Sequence, residues 1–229
     1  MKIISIIGSP HGTKGTTGPV VNGVMEAAKN AGAQTEIISL ADNSVQPCRG
    51  CQVCSKTGQC VIEDDFSNIK KALLEADGII LASPNYMHNV SGQMKAFLDR
   101  CFGMCHCQML KGKYGAVVVS SGGPVFEMVE DYLVHVLKIF GCWTVGNVCA
   151  VELQLTDEDE RTKIMQEAYN LGTRIVKAIK GKETFPEQEQ ELDMFFEGMK
   201  MVVEMYKEDW PFEYEYWKSH WGVEESYSD

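Results

Sequence analysis

Four cysteines lie in one short stretch of the chain with the spacing C-x2-C-x2-C-x5-C: Cys48, Cys51, Cys54 and Cys60. Their sulfurs converge on one small object only if the backbone curls around it. Gly50 and Gly58 allow such a curl, because glycine enters left-handed conformations at little cost. Four thiolates, one for each iron, are the ligands of a compact iron–sulfur cluster, so this spacing favours a cluster.

Three other interpretations of these thiols stay open. Structural zinc is also held by four cysteines, although its sites usually come as two separated C-x2–4-C pairs. Disulfides require an oxidising compartment, and nothing else in the sequence marks the chain as secreted. Free thiols in a loop are the third interpretation. The stretch therefore indicates metal or redox chemistry, with iron favoured over the alternatives.

A second stretch, at residues 8–17, is rich in glycine and hydroxyl groups (GSPHGTKGTT). A loop of this kind that leads into a helix offers backbone N–H groups and the helix dipole to a phosphate. Its hydroxyl donors are Ser9, Thr13, Thr16 and Thr17. The loop has neither a Walker A lysine nor the dinucleotide fingerprint, so it favours a mononucleotide such as FMN held mostly by neutral donors. A plain strand-to-helix turn with a capping threonine is the alternative.

Two further loops carry groups that suit a flat heteroaromatic ring. Residues 84–89 (PNYMHN) combine a stiff turn, amide groups and an aromatic side chain. Residues 120–123 (SSGG) allow the backbone to approach a ring closely. His88 in the first of these loops has an alternative interpretation as a surface histidine. Together the two loops predict contacts to the edge and face of a flavin.

The spacing of apolar residues predicts the elements that must position these loops. Short apolar or alternating runs predict strands at residues 2–7, 34–40, 78–83, 114–120 and 143–151. Helical periodicity predicts helices at residues 20–31, 65–76, 91–102, 126–140, 157–180 and 187–207. This alternation predicts an α/β fold with a doubly wound parallel sheet, and five strands fit the flavodoxin-like order 2-1-3-4-5. The three loops then lie at one rim of the sheet, where such folds bind ligands.

The chain divides into a predicted flavodoxin-like domain, residues 1–181, and a C-terminal helical extension, residues 182–229. The extension begins with an amphipathic helix and continues with an aromatic and acidic stretch at residues 209–217 (DWPFEYEYW). A helix beyond a completed five-stranded sheet needs a surface for its apolar face. We expect that surface on the same subunit, with a partner subunit as the alternative.

Composition excludes several classes of function. The chain has 229 residues, is 45% hydrophobic and carries a formal net charge of −11. An acidic chain repels phosphate backbones, so no nucleic-acid partner is expected, and no basic stripe indicates a membrane surface. No run of the sequence is long and apolar enough for a signal or a membrane span. We therefore expect a cytoplasmic protein whose nine cysteines stay reduced.

Three pieces of the sequence carry a resemblance to a known family: GSPHGTKGTT, CRGCQVCSKTGQCVIEDD and SPNYMHNVSGQMKAFLDR. Together they are similar to the NADPH-dependent FMN reductase superfamily of flavodoxin-like proteins. The cysteine spacing resembles the iron–sulfur flavoprotein branch of that superfamily. The resemblance covers about residues 1–180 and implies tightly bound FMN in a homodimer or homotetramer.

The resemblance also implies the site residues. FMN phosphate contacts would come from Ser9, His11, Thr16 and Thr17, to which we add Thr13 and Gly15 of the same loop. Ring contacts would come from the other two loops, through Pro84, Asn85, Tyr86, Met87, Ser121, Gly122 and Gly123. A 4Fe–4S cluster would be held by Cys48, Cys51, Cys54 and Cys60. No catalytic acid or base is assigned, because protein groups would tune the flavin through hydrogen bonds.

The expected function is that of an FMN-dependent oxidoreductase. It would exchange electrons between NAD(P)H or a ferredoxin-like donor and a small acceptor such as a quinone, free flavin or an oxygen species. One alternative is an NAD(P)H-dependent flavin or quinone reductase that carries FMN and no cluster. A second alternative is a flavodoxin-like electron shuttle that is not an enzyme.

A second group of cysteines lies outside the pattern of the first. Cys101 and Cys105 would share a helix face if the helix at residues 91–102 continued, and Cys107 follows closely. Cysteine is among the residue types most often buried, so we expect apolar packing for this group. A second metal site or a redox thiol is the alternative.

Overall fold

The centre of the molecule is one parallel sheet, seen in a computed structural model that describes residues 1–222. Its strands are β1 (Lys2–Ile7), β2 (Gln34–Ser39), β3 (Gly78–Pro84), β4 (Tyr114–Ser121) and β5 (Trp143–Val151). All neighbouring strands pair in parallel, in the order β2-β1-β3-β4-β5. The predicted flavodoxin-like order 2-1-3-4-5 is thereby confirmed.

The helices fill the intervals between the strands and continue beyond β5. They are α1 (Thr17–Asn30), α2 (Val53–Thr57), α3 (Phe66–Glu75), α4 (Gly92–Arg100), α5 (Phe102–His106), α6 (Glu127–Ile139), α7 (Glu152–Thr156), α8 (Glu158–Gly181), α9 (Pro186–Met205) and α10 (Pro211–Trp221). The long helices lie where periodicity predicts them. The helix predicted over residues 91–102 is instead interrupted at Cys101, where α4 ends and the short α5 follows.

Helices cover both faces of the sheet, which explains the continuous apolar runs of the central strands. Every residue of β3 and β4 is buried. Side chains of α3, α4 and α6 form one core with one face, and side chains of α1 and α8 form the other core with the opposite face. Strands buried on both faces carry no polar alternation, so length and flanking residues identify them.

The described part of the C-terminal extension packs on the flavodoxin-like domain of its own chain, as expected, since Gln188 Nε2 donates to Thr144 O and Trp217 Nε1 donates to His106 O, both at 2.8 Å. Trp217 and Val203 are buried in a small third core, packed against Phe196, Met199, Tyr214 and Trp221. The division into domains 1–181 and 182–229 stays a prediction, and residues 223–229 lie outside the described part of the chain. Across residues 1–222, none of the helices has both the length and the apolar character that crossing a lipid bilayer requires.

Candidate functional site

The carboxyl ends of β1, β3 and β4 surround a cavity of about 450 Å³, which we call the rim cavity. The three loops predicted to carry chemistry all contribute to its wall. The lining residues are Ser9, His11, Lys14, Gly15, Thr16, Thr17, Pro84, Asn85, Tyr86, Ser120, Ser121, Gly122 and Glu152. The fold therefore brings together most of the residues that were predicted to hold the cofactor.

Three predicted residues do not line the rim cavity of the single chain. Thr13 lies in a 3-10 helix, Gly12–Lys14, with its side chain exposed. Met87 is 95% exposed and has a positive φ of 52°, at the tip of its turn. Gly123 follows the lining residue Gly122 and directs its N–H back to Ser121 Oγ, 3.4 Å away. Local turn geometry therefore directs these three residues away from the space that the flanking residues line.

One side of the rim cavity has the features of an anion site. Helix α1 begins at Thr17, the Gly18 N–H donates to Gly15 O at 3.0 Å and Pro19 has no N–H, so the N–H groups at this helix end that can meet a ligand are those of Thr16 and Thr17. Thr17 is buried, and its Oγ1 lies 2.7 Å from Ser120 Oγ, which ties the loop to the end of β4. Lys14 adds a cation to the lining. A helix N-terminus with hydroxyls and one lysine suits a phosphate.

Another part of the wall carries an acceptor without a partner. The Asn85 backbone N–H donates to Ser120 O at 2.7 Å, and its side-chain Nδ2 donates to Ser121 Oγ at 3.4 Å and to Val125 O. Its Oδ1 is buried and has no hydrogen-bond partner within residues 1–222. A buried acceptor left unpaired costs free energy, and a ligand N–H would satisfy it. The rim cavity thus fits a ligand with a phosphate and a ring that bears N–H donors, as FMN does.

Three lining residues, Lys14, Ser120 and Glu152, are not among the predicted cofactor contacts, although Ser120 lies in a predicted loop. Lys14 lies in the first loop, for which only neutral donors are predicted. Ser120 precedes the two glycines of the third loop and contacts Thr17 across the rim. Glu152 begins α7 directly after β5, so the signal that could have found it is the end of the next strand in the sheet.

The cysteine loop, residues 48–60, lies outside the sheet. Cys48 and Cys51 are exposed, Cys54 and Cys60 are half-buried, and all four thiols are free. The Gly50 N–H donates to Cys48 Sγ at 3.4 Å. Within residues 1–222, no three His, Cys, Asp or Glu side chains already surround a metal-sized space. The loop therefore brings four thiols to one short segment without closing them around an ion.

A buried ion pair between Arg100 and Asp64 anchors the cysteine loop at both of its ends. Arg100 donates to Asp64 through Nη1 at 2.8 Å and Nη2 at 3.1 Å, and its Nη1 also donates to Gln46 O at 2.9 Å. Its side chain is 0% exposed, and the Phe66 ring lies 4.4 Å from the guanidinium carbon. Burial opposes ionisation of Asp64, but bonds from Arg100 and two backbone N–H groups outweigh it and lower the pKa of this carboxyl. The pair holds both ends of the loop against α4.

The environment of the thiols fits an iron–sulfur cluster by its donors. Arg100 Nε is buried without a hydrogen-bond partner in the described chain. Cys60 interacts with the same guanidinium and helps to raise the pKa of Arg100 against the opposing effect of burial. Burial, followed by Glu213, Cys60 and Cys48, raises the pKa of the Cys54 thiol. Four free thiols in one short segment offer a cluster its thiolate ligands, and the buried guanidinium beside Cys60 offers a cationic hydrogen-bond donor.

The second cysteine group has the apolar environment that was predicted. Cys101 and Cys107 are buried, and Cys101 Sγ donates to Phe97 O at 3.3 Å. Burial raises the pKa of the half-buried Cys105 thiol to about 11. These thiols stay protonated near neutral pH, which is the state of structural rather than reactive cysteines. His88 is exposed, in keeping with a surface loop histidine.

Comparisons with known proteins agree with this geometry. An iron–sulfur flavoprotein of Archaeoglobus fulgidus is 32% identical over 222 residues, which are 95% of this chain and 98% of the relative. A solved flavone reductase superposes with a TM-score of 0.64 at 20% identity, covering 79% of this chain and 63% of that one. An NADH:FMN oxidoreductase in its apo form superposes with a TM-score of 0.58 at 22% identity, covering 81% of this chain and 92% of that one.

The family itself follows from a match that spans most of the flavodoxin-like domain. Residues 1–155 match the NADPH-dependent FMN reductase family, and this segment contains both the rim cavity and the cysteine loop. The relative from Archaeoglobus fulgidus aligns over nearly its whole length. The chain therefore belongs to the NADPH-dependent FMN reductase family and is an oxidoreductase.

Proposed function

We propose that the protein passes electrons between NAD(P)H or a ferredoxin-like donor and a small acceptor, a quinone, free flavin or an oxygen species. FMN would occupy the rim cavity, and a 4Fe–4S cluster would be held by Cys48, Cys51, Cys54 and Cys60. The observation that carries the proposal is the convergence of three loops on one cavity with a helix N-terminus and an unpaired Asn85 Oδ1 in its wall. The resemblance of the cysteine spacing supports the cluster.

The chain's own residues would bind and orient the cofactor. When bound, FMN supplies two-electron transfer and an iron–sulfur cluster supplies single-electron transfer. The N–H groups at the start of α1 and the Lys14 ammonium would hold the phosphate. Asn85 Oδ1 would accept a hydrogen bond from the ring, and Gly122, which has open space at its Cβ position, would let the ring approach the backbone. We assign no catalytic base.

Assembly and compartment are part of the proposal. Exposed apolar side chains adjoin the rim-cavity segments in the sequence: Met87, Val125, Met128 and Leu153. Such side chains next to a binding site suit an interface, which supports the homodimer or homotetramer implied by the resemblance. The nine free cysteines support a reducing, cytoplasmic location.

A cluster-free FMN reductase is a second candidate. The observation that favours it is the open cysteine loop, in which no three ligating side chains within residues 1–222 surround a metal-sized space. In that case the rim cavity would hold FMN alone, and FMN would supply two-electron transfer between NAD(P)H and free flavin or a quinone. The variant Cys51→Ser separates the two candidates. It removes one proposed cluster ligand, and because Cys51 is exposed, the substitution should not disturb the packing of the protein.

The test begins with anaerobic purification of the full-length chain. Its absorption spectrum, its FMN content and its counts of iron and acid-labile sulfide are measured before and after reconstitution. We expect one FMN and a four-iron complement per chain, with oxidation of NAD(P)H or reduced ferredoxin coupled to quinone reduction. Cys51→Ser should lose iron and keep FMN. A colourless protein that takes up no FMN at micromolar excess overturns the proposal, and unchanged turnover of Cys51→Ser selects the cluster-free candidate.

A further inference from the structure

The aromatic and acidic stretch of the extension forms α10, and this helix lies directly against the cysteine loop. Helix α10 packs on α2, the short helix that carries Cys54. The Trp217 Nε1–H donates to His106 O at 2.8 Å, and the Trp221 Nε1–H donates to Cys107 O at 3.0 Å. Helix α10 is therefore fixed to the segment around α5, and it covers the cysteine loop from there.

Phe212 makes the closest contact between α10 and the cysteine loop. Gly58 ends α2 in a left-handed conformation, with φ of 77°, and its N–H donates to Cys54 O at 2.8 Å. A Cβ at Gly58 would lie 2.4 Å from Phe212 Cε2, well inside van der Waals contact. The ring therefore lies against the bare backbone of the turn that fixes the end of α2.

Glu213, the next residue of α10, is 0% exposed. Its Oε2 lies 2.9 Å from His106 Nδ1, so α10 contacts this residue both here and through Trp217. Its Oε1 is buried with no hydrogen-bond partner in the described chain. A buried carboxyl is costly without a partner, so the contact with His106 ties the start of α10 to α5.

We propose that Phe212 is a positioning residue for Cys54, and that α10 is the wall that holds α2 and keeps this thiol half-buried. Because the cysteine loop has no strand of its own, its backbone geometry depends on this outside support. The part of the proposal that concerns metal retention rests on the proposed function, whereas the part that concerns the position of Cys54 does not.

The test uses the full-length, FMN-loaded protein with its thiols reduced and iron removed. Each cysteine's rate of alkylation by iodoacetamide is followed by mass spectrometry. Phe212→Ala should raise the rate at Cys54 by about fivefold or more, because local opening then exposes the thiol, while Cys48 and Cys51 keep their rates. Phe212→Tyr retains the ring and should preserve protection.

Two glycines of the same loop provide a matched control. Gly58→Ala and Gly50→Ala both place a side chain at a positive φ, but a Cβ at Gly50 meets nothing within 4 Å. Both substitutions strain the backbone at a positive φ, and only Gly58→Ala forces the Phe212 ring to move. We expect Gly58→Ala to expose Cys54 and Gly50→Ala to leave it protected.

Reconstitution with iron and sulfide then tests metal retention. Phe212→Ala should hold less than half the iron of the wild type at unchanged FMN content. Equal Cys54 rates in wild type and Phe212→Ala, or equal effects of the two glycine substitutions, overturn the inference. A wild type that binds FMN but takes up no iron removes the cluster from the proposed function, and the alkylation rates then decide the role of α10 alone.

Discussion

The rim cavity and the cysteine loop are held in place by different kinds of contact. At the rim cavity, backbone bonds join the strand ends, with Gly8 N–H to Ala82 O at 2.8 Å and Asn85 N–H to Ser120 O at 2.7 Å. The cysteine loop has no strand, and its supports are side chains of α3, α4 and α10. The cavity thus shares the stability of the sheet, whereas the loop depends on a few contacts that a single substitution removes.

This difference predicts that the loop can be released while the cavity survives. Sheet contacts open with the free energy of global unfolding, whereas locally supported segments open at lower cost. Substitutions at the outside supports should therefore change thiol exposure and metal content first. Substitutions at the strand ends should change FMN affinity first.

The largest effect is expected from Arg100→Gln. It leaves Asp64 buried without its cation, and breaking a buried ion pair costs about 3–5 kcal/mol. Urea unfolding followed by circular dichroism measures the loss. Asp99→Asn is the matched control, since it breaks the exposed Lys95–Asp99 pair of the same helix and should cost less than about 1 kcal/mol. Equal losses in the two variants would contradict the role of the buried pair.

The fold was predictable because its signals are local. Runs such as GIILAS and YGAVVVS are buried on both faces, so continuous apolar character identified β3 and β4. Parallel strands then place their following loops at one rim, which is why most of the cavity lining could be foreseen. Helices α2, α5 and α7 were missed because five residues are too short to show a helical period.

The supports of the cysteine loop could not be read from spacing. Asp64 and Arg100 are 36 positions apart in the sequence, and Phe212 is much further from Gly58. These contacts form because α4 and α10 pack against the loop. The apolar spacing of a helix does not predict which distant segment that helix will contact. The same limit applies to Lys14 and Glu152, because side-chain direction within a turn depends on dihedral angles that composition does not fix.

Acidification should weaken the buried ion pair between Arg100 and Asp64. Bonds from Arg100 and backbone N–H groups outweigh burial and lower the pKa of Asp64 in the folded protein. A carboxyl whose folded pKa is depressed contributes stability above its unfolded pKa of about 3.9 and loses it as pH falls through the folded value. The free energy of unfolding should therefore fall more steeply below about pH 4 in wild type than in Asp64→Asn. Parallel pH profiles would show that Asp64 carries no such linkage.

A smaller effect is expected at the strand ends. Thr17→Val removes the hydroxyl that contacts Ser120, in a residue that lines the rim cavity. The family resemblance also assigns Thr17 to the FMN phosphate, and loss of one such hydrogen bond, about 1–1.5 kcal/mol, should lower FMN affinity about tenfold while Cys54 stays protected. Fluorescence titration with FMN measures the affinity. Thr13→Val is the control, because Thr13 lies in the same loop but outside the cavity lining, and a comparable loss there would undermine the assignment.

The smallest effect is expected from Lys14→Gln. The Lys14 side chain is exposed and adds one cation to a site whose other donors are neutral, so its contribution to phosphate binding is about 0.5–1 kcal/mol at low salt. Raising the ionic strength should weaken FMN binding in wild type more than in Lys14→Gln. Salt screens the attraction between exposed charges, with a Debye length of about 10 Å at about 0.1 M. Lys56→Gln makes the same charge change in the cysteine loop and should leave both affinity and salt dependence unaltered, because Lys56 does not line the rim cavity. If the salt dependence of FMN binding survived in Lys14→Gln and disappeared in Lys56→Gln, the FMN phosphate would lie near the cysteine loop. That result would contradict its placement in the rim cavity.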